Sequence, residues 1–412
     1  MSNEKSPEST HRLPALRLKK NEHRRLRAGH LWVYSNEINT KHSPLADFSP
    51  GDLVRLEDNS GHLLGTAYVN PQALLCARLL SRRIEDVQDV AFWRLRFRQA
   101  LALRTRLYAE PCYRLIYGES DFCPGLVVDR YSDVLVVQTA TAGMERLLDT
   151  LVEALRLELQ PKGILLRNDS SSRDRENLPR YQRVAWGEVA DQVLIKENGA
   201  QFSVSMEQGQ KTGWFYDHRE NRARLCRYVS GLRVLDLFSY TGAWGIQTAL
   251  AGAESVLCVD SSASALQGVQ DNAVLNECAD RVTTRQGDAF DVLRELNDAG
   301  ERFDVVILDP PAFIKRRKDH KAGLEAYQRL NERAMRLLVD DGLLLSASCS
   351  FHLSADDLTR VLLRASRQQG ARLNILEHGQ QGPDHPVHPA IPETSYLKAV
   401  LARVLRAEAG RK

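Results

Sequence analysis

From Leu232 onward the apolar positions fall into short unbroken runs, which alternate with longer stretches where they recur at helical spacing. This pattern predicts strands over Arg233–Phe238, Ser255–Asp260, Val282–Gln286, Phe303–Leu308 and Gly342–Ala347. It predicts helices over Ala243–Ala251, Ala263–Asn276, Phe290–Leu296, Tyr327–Leu338 and Ala355–Gln369. Strands that are short and apolar throughout belong in a parallel sheet covered by helices on both faces. The C-terminal half is therefore expected to be a doubly wound, Rossmann-like α/β domain. Ligands of such sheets sit outside the carboxyl ends of the strands, so the chemistry is sought there.

The first half has a different rhythm. Between residues 13 and 82, short strand-like runs (Leu31–Tyr34, Leu53–Leu56, Leu63–Val69) are broken by the turn signals Ser49-Pro50-Gly51-Asp52, Asp58-Asn59-Ser60-Gly61 and Asn70-Pro71. This spacing predicts a small β-barrel or sandwich. A helical pattern over Val90–Leu107 follows, then a β region over Tyr113–Thr139 punctuated by Gly118, Pro124 and Gly125, then helical spacing over Met144–Glu158. Arg167–Asn177 is polar and reads as a loop. The expected organisation is a disordered tail over residues 1–12, a small β-barrel domain over 13–82, a central α+β domain over 83–192 and the α/β domain over 193–412.

Composition adds little to the pattern. With 43% hydrophobic and 26% charged residues, the chain has enough apolar material for real cores and an ordinary soluble surface. The net charge of +3 is weak, so an affinity for nucleic acid requires local basic patches. The seven cysteines are scattered and never spaced as C-x-x-C, which argues against a disulfide framework and against zinc; no metal is expected. The polar start MSNEKSPESTHR is no secretory signal, and no apolar run approaches a membrane span; a reducing cytoplasm fits best.

The end of the first strand, Leu235-Asp236-Leu237-Phe238-Ser239-Tyr240-Thr241-Gly242, lacks the G-x-G-x-x-G of a nicotinamide site. Asp236 suits a sulfonium and an ammonium better than a pyrophosphate. Asp260 ends the second strand, where a carboxylate can accept hydrogen bonds from ribose hydroxyls. Gly287-Asp288 follows the third strand, and Asp309-Pro310-Pro311 follows the fourth. Each aspartate alone could be a helix cap. Four at the ends of successive strands predict S-adenosylmethionine (SAM), held by Asp236, Asp260, Asp288 and Asp309 with Phe238, Tyr240 and Gly242 at the first turn. Ahead of that strand, GQKTGWFYDHRENR (209–222) is dense in glycine, aromatic and charged residues. It is expected to form a lid whose Thr212 and Phe215 contact the cofactor.

Two motifs carry candidate chemistry. Ser346-Ala347-Ser348-Cys349-Ser350 places a cysteine just past the fifth strand, where a thiolate could add to carbon 6 of a cytosine and make carbon 5 nucleophilic. In Asp309-Pro310-Pro311-Ala312-Phe313, Asp309 would hold the cytosine N3 proton and Phe313 could stack on a base. Related D/N-P-P-aromatic motifs also serve methylation of exocyclic nitrogens, so the motif alone does not choose the atom. The cations Lys315, Arg316, Arg317 and Lys318 follow and could grip phosphates of an extruded or single-stranded substrate. A second basic patch, Arg12, Arg17, Lys19, Lys20, Arg24, Arg25 and Arg27 with nearby Trp32 and Tyr34, suits RNA backbone and an unstacked base. The arginines of the 90–107 helix read as a solvated face.

Taken together, the stretches RRLRAGHLWVYSNEI, SPGDLV, YRLIYGESDFCPGLVVDRY, GQKTGWFYDHRENR, LDLFSYTGAWG, LDPPAF, SASCS and GPDHPVHPAIPET resemble the bacterial large-subunit (23S) ribosomal RNA cytosine-C5 methyltransferases along essentially the whole chain. The resemblance implies an RNA-binding PUA domain at the N-terminus and a SAM-dependent methyltransferase domain at the C-terminus. It implies Cys349 as nucleophile and Asp236, Asp260, Asp288 and Asp309 lining the cofactor pocket, with 23S ribosomal RNA as partner. Separately from the resemblance, an exposed edge of the barrel could pair two chains into a homodimer. Where many RNA cytosine-C5 methyltransferases carry a second cysteine for product release, this chain has Pro311. Methylation of a ring or exocyclic nitrogen, and a non-enzymatic RNA-binding assembly factor, stand as alternatives.

Overall fold

The computed structural model describes residues 13–83, 88–206 and 212–406. The chain divides into two compact units: a first that runs to Val189 and includes Pro386–Thr394, and a second made of the rest.

In the first unit a five-stranded sheet takes the order Ala15–Arg17, Asp52–Glu57, Leu63–Val69, Ala77–Ser81, Trp32–Val33, antiparallel except for its first pair. Its core gathers Leu16, Leu18, Val54, Leu56, Val69 and Leu79, together with Ile391 from the 386–394 segment. A second five-stranded sheet runs Tyr181–Gly187, Gly163–Asn168, Val134–Thr139, Leu126–Tyr131, Cys112–Tyr117. Helices Val90–Leu107 and Leu148–Leu159 pack on it through Trp93, Phe97, Leu151 and Leu155. Tyr68 ties the two sheets together: its hydroxyl donates to the Pro124 carbonyl at 2.9 Å, and its ring lies so close to Gly143 that a Cβ there would be 2.1 Å away.

Three expectations for this unit change. Arg167–Asn177 is not a solvated loop: Arg167 and Asn168 end a strand and Ser171–Glu176 is a 3₁₀ turn. Two of its charges go inward to partners, Arg173 to Glu145 at 3.0 Å and Glu176 to Arg78 at 2.9 Å, while Asp174 and Arg175 stay exposed. The arginine helix is not all solvated face either, because Arg104 is fully buried in a two-pronged bond to Asp121. The helical pattern over Met144–Glu158 is split, Ala142–Arg146 and Leu148–Leu159 being separate helices.

In the second unit the strands are β1 (Arg233–Leu237), β2 (Ser255–Asp260), β3 (Val282–Gln286), β4 (Phe303–Leu308), β5 (Leu338–Ser348), β6 (Ala371–Gly379) and β7 (Lys398–Arg406). The helices are α1 (Ala243–Leu250), α2 (Ala263–Leu275), α3 (Ala289–Asp298), α4 (His320–Leu337) and α5 (Ala355–Gln368). The sheet order is β3-β2-β1-β4-β5-β7-β6. Five strands are parallel, as the apolar runs require, and β7 inserts antiparallel between β5 and β6. Strand order reverses between β1 and β4, where Leu237 pairs with Leu308, so the crevice of the doubly wound sheet opens above this pair. A hairpin, Gln192–Glu197 and Ala200–Ser205, lies on α2, held where the Ser203 amide donates to Asn272 Oδ1 at 2.8 Å. No helix among the described residues is long and apolar enough to cross a membrane.

Candidate active site

A cleft of about 460 Å³ opens at the carboxyl ends of β1, β2, β4 and β5. Its wall brings together Phe215, Phe238, Tyr240, Asp260, Asp288, Asp309 and Cys349, all expected there from the sequence.

The turn between β1 and α1 is wound unusually. Phe238 and Tyr240 have φ of 63° and 48°, and Gly242 has φ of 87°. Left-handed backbone at two non-glycine aromatics is strained, and such strain collects at ligand sites. It turns the Tyr240 amide toward Asp260, whose Oδ2 accepts it at 3.0 Å while Oδ1 accepts the Ser262 amide at 2.9 Å. Tyr240 packs edge-on to Phe215 with ring centroids 5.6 Å apart. Asp288 caps α3, accepting the Phe290 amide at 2.8 Å through Oδ1 only. Capping and ligand binding are thus compatible for it, because a carboxylate has about four lone-pair sites.

Asp236 departs from expectation. It is fully buried beneath the cleft wall, where Oδ2 accepts the Gly245 amide at 3.0 Å. Burial above all, with Asp309 and Asp260 nearby, pushes its carboxyl well above the ordinary range. Through Oδ2 it pins the first turn of α1. Gly242 and Thr212 are also set back, Thr212 being buried, and Phe313 packs on Tyr327 at 4.8 Å instead of facing the cleft.

Asp309, at the end of β4, accepts from Trp244 Nε1 at 3.1 Å, and His218 Nε2 lies 3.3 Å from its other oxygen. Burial opposes its charge, but His218 and Trp244 outweigh burial and hold the carboxyl below its usual value, so it is a carboxylate at neutral pH. The segment that supplies His218 lines the cleft and is clamped in place; residues 209–211 of the expected lid lie outside the described residues. Glu197 accepts from Trp214 Nε1 at 3.0 Å, Arg222 Nε at 2.7 Å and Gln247 Nε2 at 3.0 Å, which fastens the segment to α1.

Cys349 projects into the cleft because its neighbours point the other way. Tyr327 Oη bonds Ser348 Oγ at 2.8 Å and Ser350 Oγ at 3.0 Å, so both serines face the core and the intervening thiol faces out. None of the seven cysteines forms a disulfide. Burial pushes the thiols of Cys76 and Cys123 up to about 12 and that of Cys226 to about 11, and it also raises Cys258 and Cys278. Cys349 alone among the seven lies on the cleft wall.

Trp244, His218 and Tyr396 also line the cleft and were not singled out by sequence. Tyr396 donates to Asp217 Oδ2 at 2.5 Å. The signal for His218 was its place in the GQKTGWFYDHRENR motif; Tyr396 lies far along the chain and offered none.

The proposed RNA-contacting cations separate into two sets. Lys315, Arg316 and Arg317 are exposed, as is Arg24. Arg25 is committed internally, bonding Glu37 at 2.8 Å and the Trp32 carbonyl at 3.1 Å, and Arg27 pairs with Asp58 at 3.2 Å while half-exposed. Arg12 lies outside the described residues.

The wall suits SAM chemically. Carboxylates face a cationic ligand, aromatic faces can cover an adenine, and the buried Asp236 Oδ1 and Ser239 Oγ have no hydrogen-bond partner among the described residues.

A family model described as an S-adenosylmethionine-dependent methyltransferase matches residues 180–403, and one described as a PUA-like domain matches residues 16–82. A methyltransferase solved in complex with SAH shares the fold, with a TM-score of 0.81 over 95% of this chain and 100% of its own at 21% identity. A SAM-dependent methyltransferase from Streptococcus mutans does likewise, at 0.79 and 22% identity over the same shares. Fold, cleft and family models together define a SAM-dependent methyltransferase that carries a PUA-like domain at its N-terminus. Two relatives, from Shewanella denitrificans (38% identical over 94% of this chain and 99% of its own) and Yersinia pestis (35%, over 94% and 98%), are both named ribosomal RNA large subunit methyltransferase I. The chain belongs to this family.

Proposed function

We propose that this protein methylates carbon 5 of a cytosine in large-subunit ribosomal RNA through a transient covalent adduct with Cys349. The observation that carries the reading is the presence of Cys349 and the ionised Asp309 on one wall of the cofactor cleft. The names of the relatives support ribosomal RNA as substrate.

SAM supplies the methyl group. Cys349 thiolate forms a bond to carbon 6, and the displaced π pair makes carbon 5 nucleophilic. As the ring gains electrons, N3 takes up a proton from solvent. The Asp309 carboxylate accepts the hydrogen bond of that N3–H until the proton is returned when the adduct collapses. After methylation a base takes the carbon-5 proton, the sulfur–carbon bond breaks and its electron pair returns to Cys349. The target base must be unpaired to reach the cleft. The exposed Arg24, Lys315, Arg316 and Arg317 supply phosphate contacts, with Arg27 available once it leaves Asp58.

The test is methyl transfer from labelled SAM to unmodified ribosomal RNA, with nucleoside analysis. Wild type is expected to yield 5-methylcytidine. Cys349→Ala is expected to yield none while retaining SAM affinity. A methylated product other than 5-methylcytidine, or a Cys349→Ala rate near that of wild type, would favour nitrogen methylation instead.

A further inference from the structure

We propose that Lys398 is the counter-ion that holds Cys349 as a thiolate, and so is a positioning residue for the covalent step; this rests on the cytosine-C5 reading.

Lys398 begins β7 and pairs across the sheet with Ser348, one residue before the cysteine. Its Nζ donates to the Ser350 carbonyl at 2.6 Å and to the Tyr396 carbonyl at 2.8 Å. These two bonds seat the ammonium beside the Cys349 backbone and leave one of its three donors. No carboxylate pairs with Lys398 among the described residues, although a half-buried ammonium ordinarily requires a compensating charge. The charge that acts on it is that of Cys349. Burial lowers its pKa from 10.5 to about 8, and the Cys349 sulfur acts in the opposite direction.

Other titratable groups face this pair from the surrounding elements. Tyr327 on α4 is coupled to the same sulfur, and burial raises its hydroxyl, so it stays neutral. Tyr396 is turned away by its bond to Asp217, and Asp309 is occupied by Trp244 and His218. Lys398 is therefore the cation positioned to favour loss of the thiol proton to solvent. The same ammonium meets the sulfur again when the bond to carbon 6 breaks, and so favours thiolate as the leaving group. This gives the chain a means of product release without a second cysteine at Pro311.

The experiment is iodoacetamide labelling of the full-length protein without RNA or SAM, following the Cys349 peptide by mass spectrometry across pH. Wild type is expected to show a midpoint about one pH unit or more below the ~8.5 of an ordinary thiol. Lys398→Met is expected to raise that midpoint by about one unit, with roughly tenfold slower labelling at neutral pH, and Lys398→Arg to restore most of it. A wild-type midpoint at or above ~8.5 overturns the proposal even if a variant fails to fold. So does a folded Lys398→Met with an unchanged midpoint. If 5-methylcytidine still forms in either of those cases, the counter-ion role alone is lost. If the product is another nucleoside, the cytosine-C5 reading is lost whatever the thiol does.

Discussion

His30 shows how a single buried residue sets a pH limit. It is 8% exposed, and its Nδ1 accepts the Trp32 amide at 3.0 Å. Burial, and then the neighbouring Arg25, lower its pKa from 6.5 to about 4. The unfolded chain therefore takes up this proton before the folded one does. Stability is complete above about pH 6.5 and falls as pH drops from there to about 4, by about 3 kcal/mol. Urea melts at pH 7 and pH 4.5 should show this loss in wild type and a smaller one in His30→Asn, which keeps an acceptor for Trp32. Equal losses in the two proteins would clear His30 of the effect. At this scale the sequence told which residues gather but not how each is oriented. Asp236, Asp260 and Asp309 were legible because each lies at the end of an apolar run, and Asp288 because it follows a glycine at the start of a helical pattern. That Asp236 turns inward to the Gly245 amide was not, since it depends on how closely α1 approaches the sheet. Arg25 and Arg104 were misread for a related reason: a charge in sequence gives no sign of the distant partner that neutralises it.

The closeness of α1 to the sheet is a property of the elements. A Cβ at Gly245 would lie 2.5 Å from Cys258 Sγ and 3.2 Å from Asp236 Oδ2. Gly245→Ala must push α1 away from β2, at a cost of about 1–3 kcal/mol. It should lower the melting temperature and weaken SAM binding, because the turn carrying Phe238 and Tyr240 moves with the helix. Adding Cys258→Ala removes the obstructing sulfur and should recover much of both; calorimetry on the two variants decides this, and a double variant no better than the single would exclude the steric account. The inner parallel strands were readable because burial on both faces leaves largely unbroken apolar runs; β3, at the edge, is polar and half-exposed and was placed by its position between two helical patterns. β6 was harder, since at the sheet edge its positions alternate between half-buried and exposed. The segment 167–177 was harder still, because its buried charges Arg173 and Glu176 are paired with distant protein groups instead of meeting water.

At the scale of the molecule, the notable feature is that Pro386–Thr394, between β6 and β7, belongs to the first unit. Ile391 is fully buried in that unit's core, and Phe122 packs edge-on to His388 at 5.9 Å. Ile391→Ala should destabilise the first unit by about 2–4 kcal/mol. Hydrogen exchange would register this as faster opening of the Val54 and Leu79 amides with SAM affinity unchanged; unaltered exchange there would show that the segment contributes no stability. Nothing in the sequence announces this assignment, since contacts between residues so far apart leave no local pattern.

The same feature bears on how the protein is born. A nascent chain usually completes its first domain while later ones are still being translated. Here the β module at the start waits for an isoleucine that leaves the ribosome only after β1 to β6 have been made. Until then that module lacks part of its interior, and the second unit, whose β7 follows the isoleucine in the chain, is completed later still, so both units become whole only as the end of the chain is made.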